Sequence, residues 1–148
     1  MKNAVKLDEI DYKIMNVLSE NARIPVSEIG RIISMTQPAV KERMNKLEEQ
    51  GVIASYKTKF APSAINKSIL TFVMFKTSKC ANFVQYCKEA PEVVDLYRVS
   101  GESNYLLKVM TDSTATLSAL LESLMKFGLS HPIIVMKTEF EEKISFDE

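Results

Sequence analysis

The sequence predicts an α+β chain in two parts: an N-terminal winged helix-turn-helix domain and a C-terminal βαββαβ (ferredoxin-like) domain. Three observations predict it. Apolar residues between positions 7 and 47 recur at three-to-four-residue steps in three short bursts, the spacing of helices with one buried stripe. The pattern breaks around Ala61-Pro62-Ser63-Ala64-Ile65-Asn66. Beyond that break, strand-like and helix-like runs alternate. The expected domains are residues 1–60 and 61–148.

The first helix is set by Leu7, Ile10, Ile14, Val17 and Leu18, with Asp8 as cap and Asp11 beside the positive end of the dipole. The second carries Val26, Ile29, Ile32 and Ile33, with Pro25 at its start, where a missing N–H does no harm. Gly30 inside it costs about 1 kcal/mol against alanine, which a closely crossing helix would justify. The third buries Val40, Met44 and Leu47, with Thr36 as cap and Pro38 in the first turn. Only Ser34 and Met35 separate the second helix from that cap, the short link of a helix-turn-helix. Gly51 suits the left-handed position after the third helix. Residues 52–60 alternate and read as a strand, half of a wing or a linker.

A third helix of this kind is one a chain can lay in the DNA major groove. Its outward face holds Gln37, Pro38, Lys41, Glu42 and Asn45. Gln37 suits adenine, and Lys41 suits guanine or a phosphate. Pro38 and Ala39 offer apolar contact to a thymine methyl. Thr36 belongs to the same contacting end, and Arg43, Lys46, Lys57 and Lys59 are expected at phosphates, which set affinity rather than sequence preference. The competing reading is a solvated helix face with ordinary lysines.

Composition agrees without deciding. The 148 residues carry 19 Lys+Arg and 19 Asp+Glu, so no global basic field advertises nucleic acid. Residues 1–60 hold 10 cations and 8 anions, and residues 61–148 hold 9 and 11. With so weak a footprint, tight binding calls for several DNA modules acting together. No apolar run reaches membrane-spanning length, and Met1-Lys2-Asn3-Ala4 leads into no signal core, so the expected compartment is the cytoplasm. Cys80 and Cys87, seven apart, read as small core residues on one helix face. No nucleophile–base pair, metal cluster or phosphate-cradling loop argues for an enzyme, and no cofactor or metal is required.

In the second domain, strands are expected at 68–76, 93–100, 104–111 and 132–140, and helices at 81–89 and 113–127, capped by Asp112 or Ser113. The strands are apolar at both parities, as in Ile69-Leu70-Thr71-Phe72-Val73-Met74-Phe75 and Ile133-Ile134-Val135-Met136. Two helices cover only one face of a four-stranded sheet, and successive strand residues point to opposite faces. A second copy of the chain is expected on the other face, in a two-fold pair that presents two recognition helices to one duplex. The competing reading folds the helical domain over that face.

Both halves together resemble the Lrp/AsnC (leucine-responsive, feast/famine) family of transcription regulators. The family's opening is similar to Leu7-Asp8-Glu9-Ile10-Asp11-Tyr12-Lys13-Ile14, and its Asn-Ala/Gly-Arg turn to Asn21-Ala22-Arg23. Its recognition-helix ending resembles Arg43-Met44-Asn45-Lys46-Leu47-Glu48-Glu49-Gln50-Gly51-Val52-Ile53. The resemblance implies a sequence-specific DNA-binding regulator whose βαββαβ domain dimerises, builds octamers or other higher assemblies, and takes an amino-acid effector. The family's ligand loop resembles Ser100-Gly101-Glu102-Ser103-Asn104-Tyr105, which implicates Gly101, Glu102, Ser103 and Asn104. A Thr/Ser-rich stretch entering the last strand corresponds to Ser130-His131-Pro132, which implicates Ser130 and His131. The chain has Asn104 where the family often has aspartate. Gly101 to Asn104 also reads as a simple hairpin turn, and His131 as an ordinary loop histidine or a pH-sensitive contact. The alternative function is an architectural protein that wraps or bridges DNA with little sequence choice.

Overall fold

The computed structural model describes residues 5–144 and 146. Met1-Lys2-Asn3-Ala4, which the sequence reads as leading into no signal core, lies outside them, as do residues 145, 147 and 148. The chain divides into two compact units. One comprises residues up to Lys59 together with those from Phe140 onward, and the other runs from Phe60 to Glu139. The last residues group with the helices rather than with the sheet. Glu141 and Glu142 accept from Lys59 Nζ at 3.2 and 3.3 Å, and the amide of Asn16 donates to the Phe146 carbonyl.

In the helical unit, α1 spans Glu9–Glu20, α2 Val26–Ile33 and α3 Gln37–Glu49. Asp8 closes a capping box on α1: its Oδ1 accepts from the Asp11 N–H at 3.0 Å, and Asp11 Oδ2 accepts from the Asp8 N–H at 3.1 Å. Each helix contributes to one core of Ile14, Ile29, Val40 and Leu47, all essentially inaccessible to solvent. Ile32, expected on the buried stripe, is 55% exposed, because α2 seats Ile29 and Ile33 on the core and turns Ile32 outward. Ser34 closes α2 in the left-handed region (φ 58°), and the Met35 N–H donates to the Gly30 carbonyl at 2.8 Å. This turn explains Gly30. A Cβ there would meet the Met35 carbonyl oxygen at 2.5 Å, so the close neighbour is the turn itself and not a crossing helix. Gly51 takes φ 72° just beyond α3.

Residues 52–60 form no strand, which corrects the expected wing. The segment is held by side chains instead of a ladder. Val52 and Ile53 pack on the helical core, and the Tyr56 hydroxyl donates to Glu48 Oε1 at 2.7 Å. Burial and the Glu48 carboxylate raise the Tyr56 phenol to about 12.

In the sheet unit, a short 3-10 turn (Pro62–Ile65) precedes β1 (Ile69–Thr77), α4 (Cys80–Glu89), β2 (Val93–Arg98), β3 (Tyr105–Thr111), α5 (Thr114–Leu124) and β4 (Gly128–Ile134). The four strands form an antiparallel sheet in the order β2-β3-β1-β4, the expected βαββαβ arrangement. Ser113 is the cap of α5, its hydroxyl accepting from the Thr116 N–H at 3.2 Å. One sheet face, with Val73, Phe75, Tyr105, Leu107 and Val109, packs on Phe83, Cys87, Leu117, Leu120 and Leu124 of the two helices. Phe75 and Phe83 stack with ring centres 4.2 Å apart. Cys80 packs against this core and Cys87 lies within it, as expected.

The last strand corrects the sequence reading. It begins at Gly128, not Pro132, and ends at Ile134. Its ladder partner decides this. β1 pairs with β4 from Thr77↔Gly128 to Thr71↔Ile134, and the Val135 N–H makes a final bond to the Leu70 carbonyl. Residues 136–144 pair with no strand among the described residues. Pro132 is tolerated because β4 is an edge strand, where a missing N–H costs nothing to the outer side.

Candidate nucleic-acid interface and ligand cleft

The buried stripe of α3 is Val40 and Leu47, flanked by the half-buried Met44. At 100° per residue, Pro38, Glu42, Asn45 and Glu49 point directly away from it, with Lys41 and Lys46 on the flanks. Gln37, Pro38, Lys41, Glu42, Asn45 and Lys46 are all exposed, and Ala39 is half-buried. Thr36 is the N-cap residue, exposed, but its side chain makes no capping bond. No acid occupies the first turn of α3. Its leading amides and the positive end of its dipole are therefore free to meet an anion such as a backbone phosphate. Lys57 is exposed on the segment that follows.

Two of the expected phosphate contacts are otherwise engaged. Lys59 pairs with Glu141 and Glu142. Arg43 is half-buried and its Nη1 donates to both carboxylate oxygens of Asp8 at 2.8 Å and to Asp11 Oδ1 at 2.9 Å. The Arg43 guanidinium beside Asp8, with the Asp11 N–H, holds the Asp8 carboxyl below its ordinary value. The number of cations along a helix does not separate a solvent-facing arginine from one turned back onto its own domain.

In the sheet unit, an open cleft of about 400 Å³ is lined by Met74, Lys76, Glu102, Ser103, Leu129, His131 and Ile133. It lies on the sheet face away from the helices. Met74 and Lys76 alternate with the buried Val73, Phe75 and Thr77, and His131 is the ladder partner of Met74. The β2–β3 turn, with Gly101 at φ 113°, brings Glu102 and Ser103 to the mouth. The cleft thus offers one carboxylate, one ammonium, an imidazole and a hydroxyl around an apolar floor.

The structure does not bring Asn104 and Ser130 into this cleft. Asn104 Oδ1 accepts from the Thr77 N–H at 3.0 Å and its Nδ2 donates to the Thr77 carbonyl at 2.8 Å. That amide clasps the end of β1 and has little left for a ligand. Ser130 pairs with Phe75 across the ladder, so it points to the helix side, opposite His131. His131 sits within β4 rather than in a loop. Met74, Lys76, Leu129 and Ile133 join the cleft without any motif in the sequence to mark them. Strand parity alone would have found them, given the right start for β4.

Outside the cleft, the same open face carries the half-buried Leu70, Phe72, Leu106 and Met110, with Tyr97 50% exposed. Leu129 and Ile133 are 74% and 58% exposed. No helix among the described residues is long and apolar enough to cross a membrane.

Comparison with known proteins agrees with this geometry. Residues 7–48 match the AsnC-type helix-turn-helix domain, and residues 69–144 match the Lrp/AsnC ligand binding domain. The chain is 31% identical to the HTH-type transcriptional regulator FL11 of Pyrococcus horikoshii, covering 93% of this chain and 94% of that one. It is 35% identical to the HTH-type transcriptional regulator LrpB of Bacillus subtilis, covering 84% and 85%. Its fold is similar to that of a Neisseria meningitidis transcriptional regulator solved in complex with L-Met (TM-score 0.86, 24% identity, 96% and 97% covered). The chain belongs to the Lrp/AsnC family of helix-turn-helix transcription regulators.

Proposed function

We propose that this regulator works in the cytoplasm as a homo-oligomer, reads bases with the outward face of α3, and answers to an amino acid held in the cleft around Glu102 and His131. The helical unit serves DNA, and the sheet unit serves pairing and the effector. The observation that carries the DNA reading is the two-sided character of α3. One stripe is sealed in the core, and the exposed remainder of the helix presents Gln37 and Lys41 on its flanks and Glu42 and Asn45 opposite the core, with no side-chain partner among the described residues. Unpaired hydrogen-bonding groups on a rigid helix are what direct base readout requires.

Pairing rests on the open sheet face. Its apolar residues lack the polar alternation of a water-facing antiparallel sheet. A second copy would remove them from water, with ~800 Å² per partner as the ordinary scale. An octamer or another higher assembly would multiply the recognition helices and offset the modest charge of each unit. The amino-acid reading rests on the cleft's chemistry, a carboxylate and an ammonium that suit the two ends of a zwitterion over an apolar floor. The L-Met complex of the Neisseria relative supports it.

The test is selection of bound duplexes from a random pool, with and without pooled amino acids, beside sedimentation of the free chain. A recurrent motif with half-sites in helical phase, a dimer or larger species, and an amino-acid-dependent change in occupancy are expected. Uniform periodic protection without a motif would replace this reading with DNA wrapping. A lone chain at micromolar concentration would refute the pairing.

A further inference from the structure

We infer that Arg43 is a positioning residue: the Asp8–Arg43–Asp11 cluster clamps the recognition helix to the start of α1 and so sets the angle at which α3 meets DNA. The inference rests on the proposed base-reading role of α3. Three hydrogen bonds of 2.8–2.9 Å converge on one nitrogen, from residues 32 and 35 positions away in sequence. Asp8 and Asp11 are themselves locked to each other by the capping box. The clamp therefore joins a rigid helix N-terminus to the middle of α3, one helical position from Glu42.

The placement of the charge argues against a phosphate role. Asp11 is buried, and the Arg43 side chain is only 31% exposed, whereas Lys41 and Lys46 beside it are exposed. An arginine meeting two carboxylates has its charge neutralised locally, and a phosphate gains little from it. Elsewhere, α2 and α3 meet through the Ile29–Val40–Leu47 core, which is apolar and without direction. Charge-assisted hydrogen bonds supply the direction that core lacks.

The experiment compares the full-length chain with three variants. The probes are a duplex recovered by the selection above and a shuffled duplex of the same composition. Arg43→Gln should shrink the affinity gap between the two probes by roughly five- to tenfold, the scale of one ordinary hydrogen bond. It should leave the slope of log K against log salt unchanged. The double variant Asp8→Asn/Asp11→Asn keeps Arg43 and keeps side-chain acceptors at both positions, and it should shrink the gap by a similar factor. Arg43→Lys should hold the gap close to that of the unaltered chain, because a single nitrogen makes all three hydrogen bonds.

A direct phosphate role gives the opposite pattern. Arg43→Gln then lowers the slope by about 0.9 for each phosphate it no longer neutralises, and removing the two carboxylates tightens binding to both probes. Thermal melts accompany each variant. Asp8→Asn alone, at an exposed carboxylate, provides a folded variant should the double one melt early, and an unchanged gap with it and with Arg43→Gln overturns the clamp. An unaltered chain that shows no gap overturns the base-reading role, and the clamp with it. An unaltered chain with a gap that Arg43→Gln leaves intact overturns the clamp alone.

Discussion

Gly30→Ala should destabilise the helical unit, although alanine is the better helix former. Taken alone, the change gains about 1 kcal/mol from propensity. The structure opposes that gain. The new methyl would sit 2.5 Å from the Met35 carbonyl oxygen, where ordinary contact begins near 3.4 Å, so about 0.9 Å must be found. The obstructing atom is backbone, and it belongs to the turn that leads into the α3 cap. Gly30 is itself buried, and its own carbonyl accepts the Met35 N–H, so neither side yields freely. Overpacking of a tight site costs about 1–3 kcal/mol. The net expectation is a loss of about 1 kcal/mol, or roughly 4–8 °C in melting temperature for a unit of this size. Urea denaturation followed by helical circular dichroism measures it. DNA affinity should fall further than stability accounts for, because the displaced turn carries α3 with it. A stabilisation near 1 kcal/mol would refute the close-approach argument, since it would mean the turn has room for a methyl group.

Two further outcomes follow from buried and charged groups. The hydroxyls of Thr71 and Thr111 lie buried on the helix side of the sheet without a hydrogen-bond partner, so Thr71→Val should be neutral or stabilise by about 1 kcal/mol in denaturant titration. A loss above that size would mean the hydroxyl is satisfied in solution. The Asp8 carboxyl titrates below its ordinary value because of Arg43. Its contribution is therefore complete above the unfolded value of about 4 and is lost as pH falls through the lower, folded value. The difference in melting temperature between the unaltered chain and Asp8→Asn should be constant at neutral pH and shrink below about pH 4, and a difference that grows on acidification would contradict the ion pair.

Much of this architecture was legible because local and tertiary signals agree. In α1, Ile10, Ile14 and Val17 and the Asp8 cap point to the same helix, and the capping box is formed. In β1 and β3, alternate residues are sealed against the helices while their neighbours face the open side, so parity alone separates the two faces. The failures have physical reasons. Residues 132–140 look strand-like by composition, but β1 begins at Ile69 and its ladder with β4 closes at Thr71↔Ile134, which leaves little of β1 for the residues that follow. Residues 52–60 alternate as a strand does, yet what holds them is Val52 and Ile53 on the core and Tyr56 on Glu48. Lys41 and Arg43 are both cations two positions apart on α3. Only the distance to Asp8 and Asp11, set by how α1 crosses α3, separates a free charge from a clamped one. Asn104 reads as a ligand group from its loop, and only the register of β1 reveals that Thr77 occupies both ends of its amide.

The central claim is that the exposed face of α3 reads sequence. The most direct measurement is the affinity of Gln37→Ala/Lys41→Ala for the selected duplex and for its shuffled counterpart, at one salt concentration. Removing good base-reading groups should narrow the difference between the two by about 1–3 kcal/mol for each bidentate pair, with affinity for the shuffled duplex falling much less. Equal discrimination before and after the substitution, in a chain that remains folded, would contradict the account.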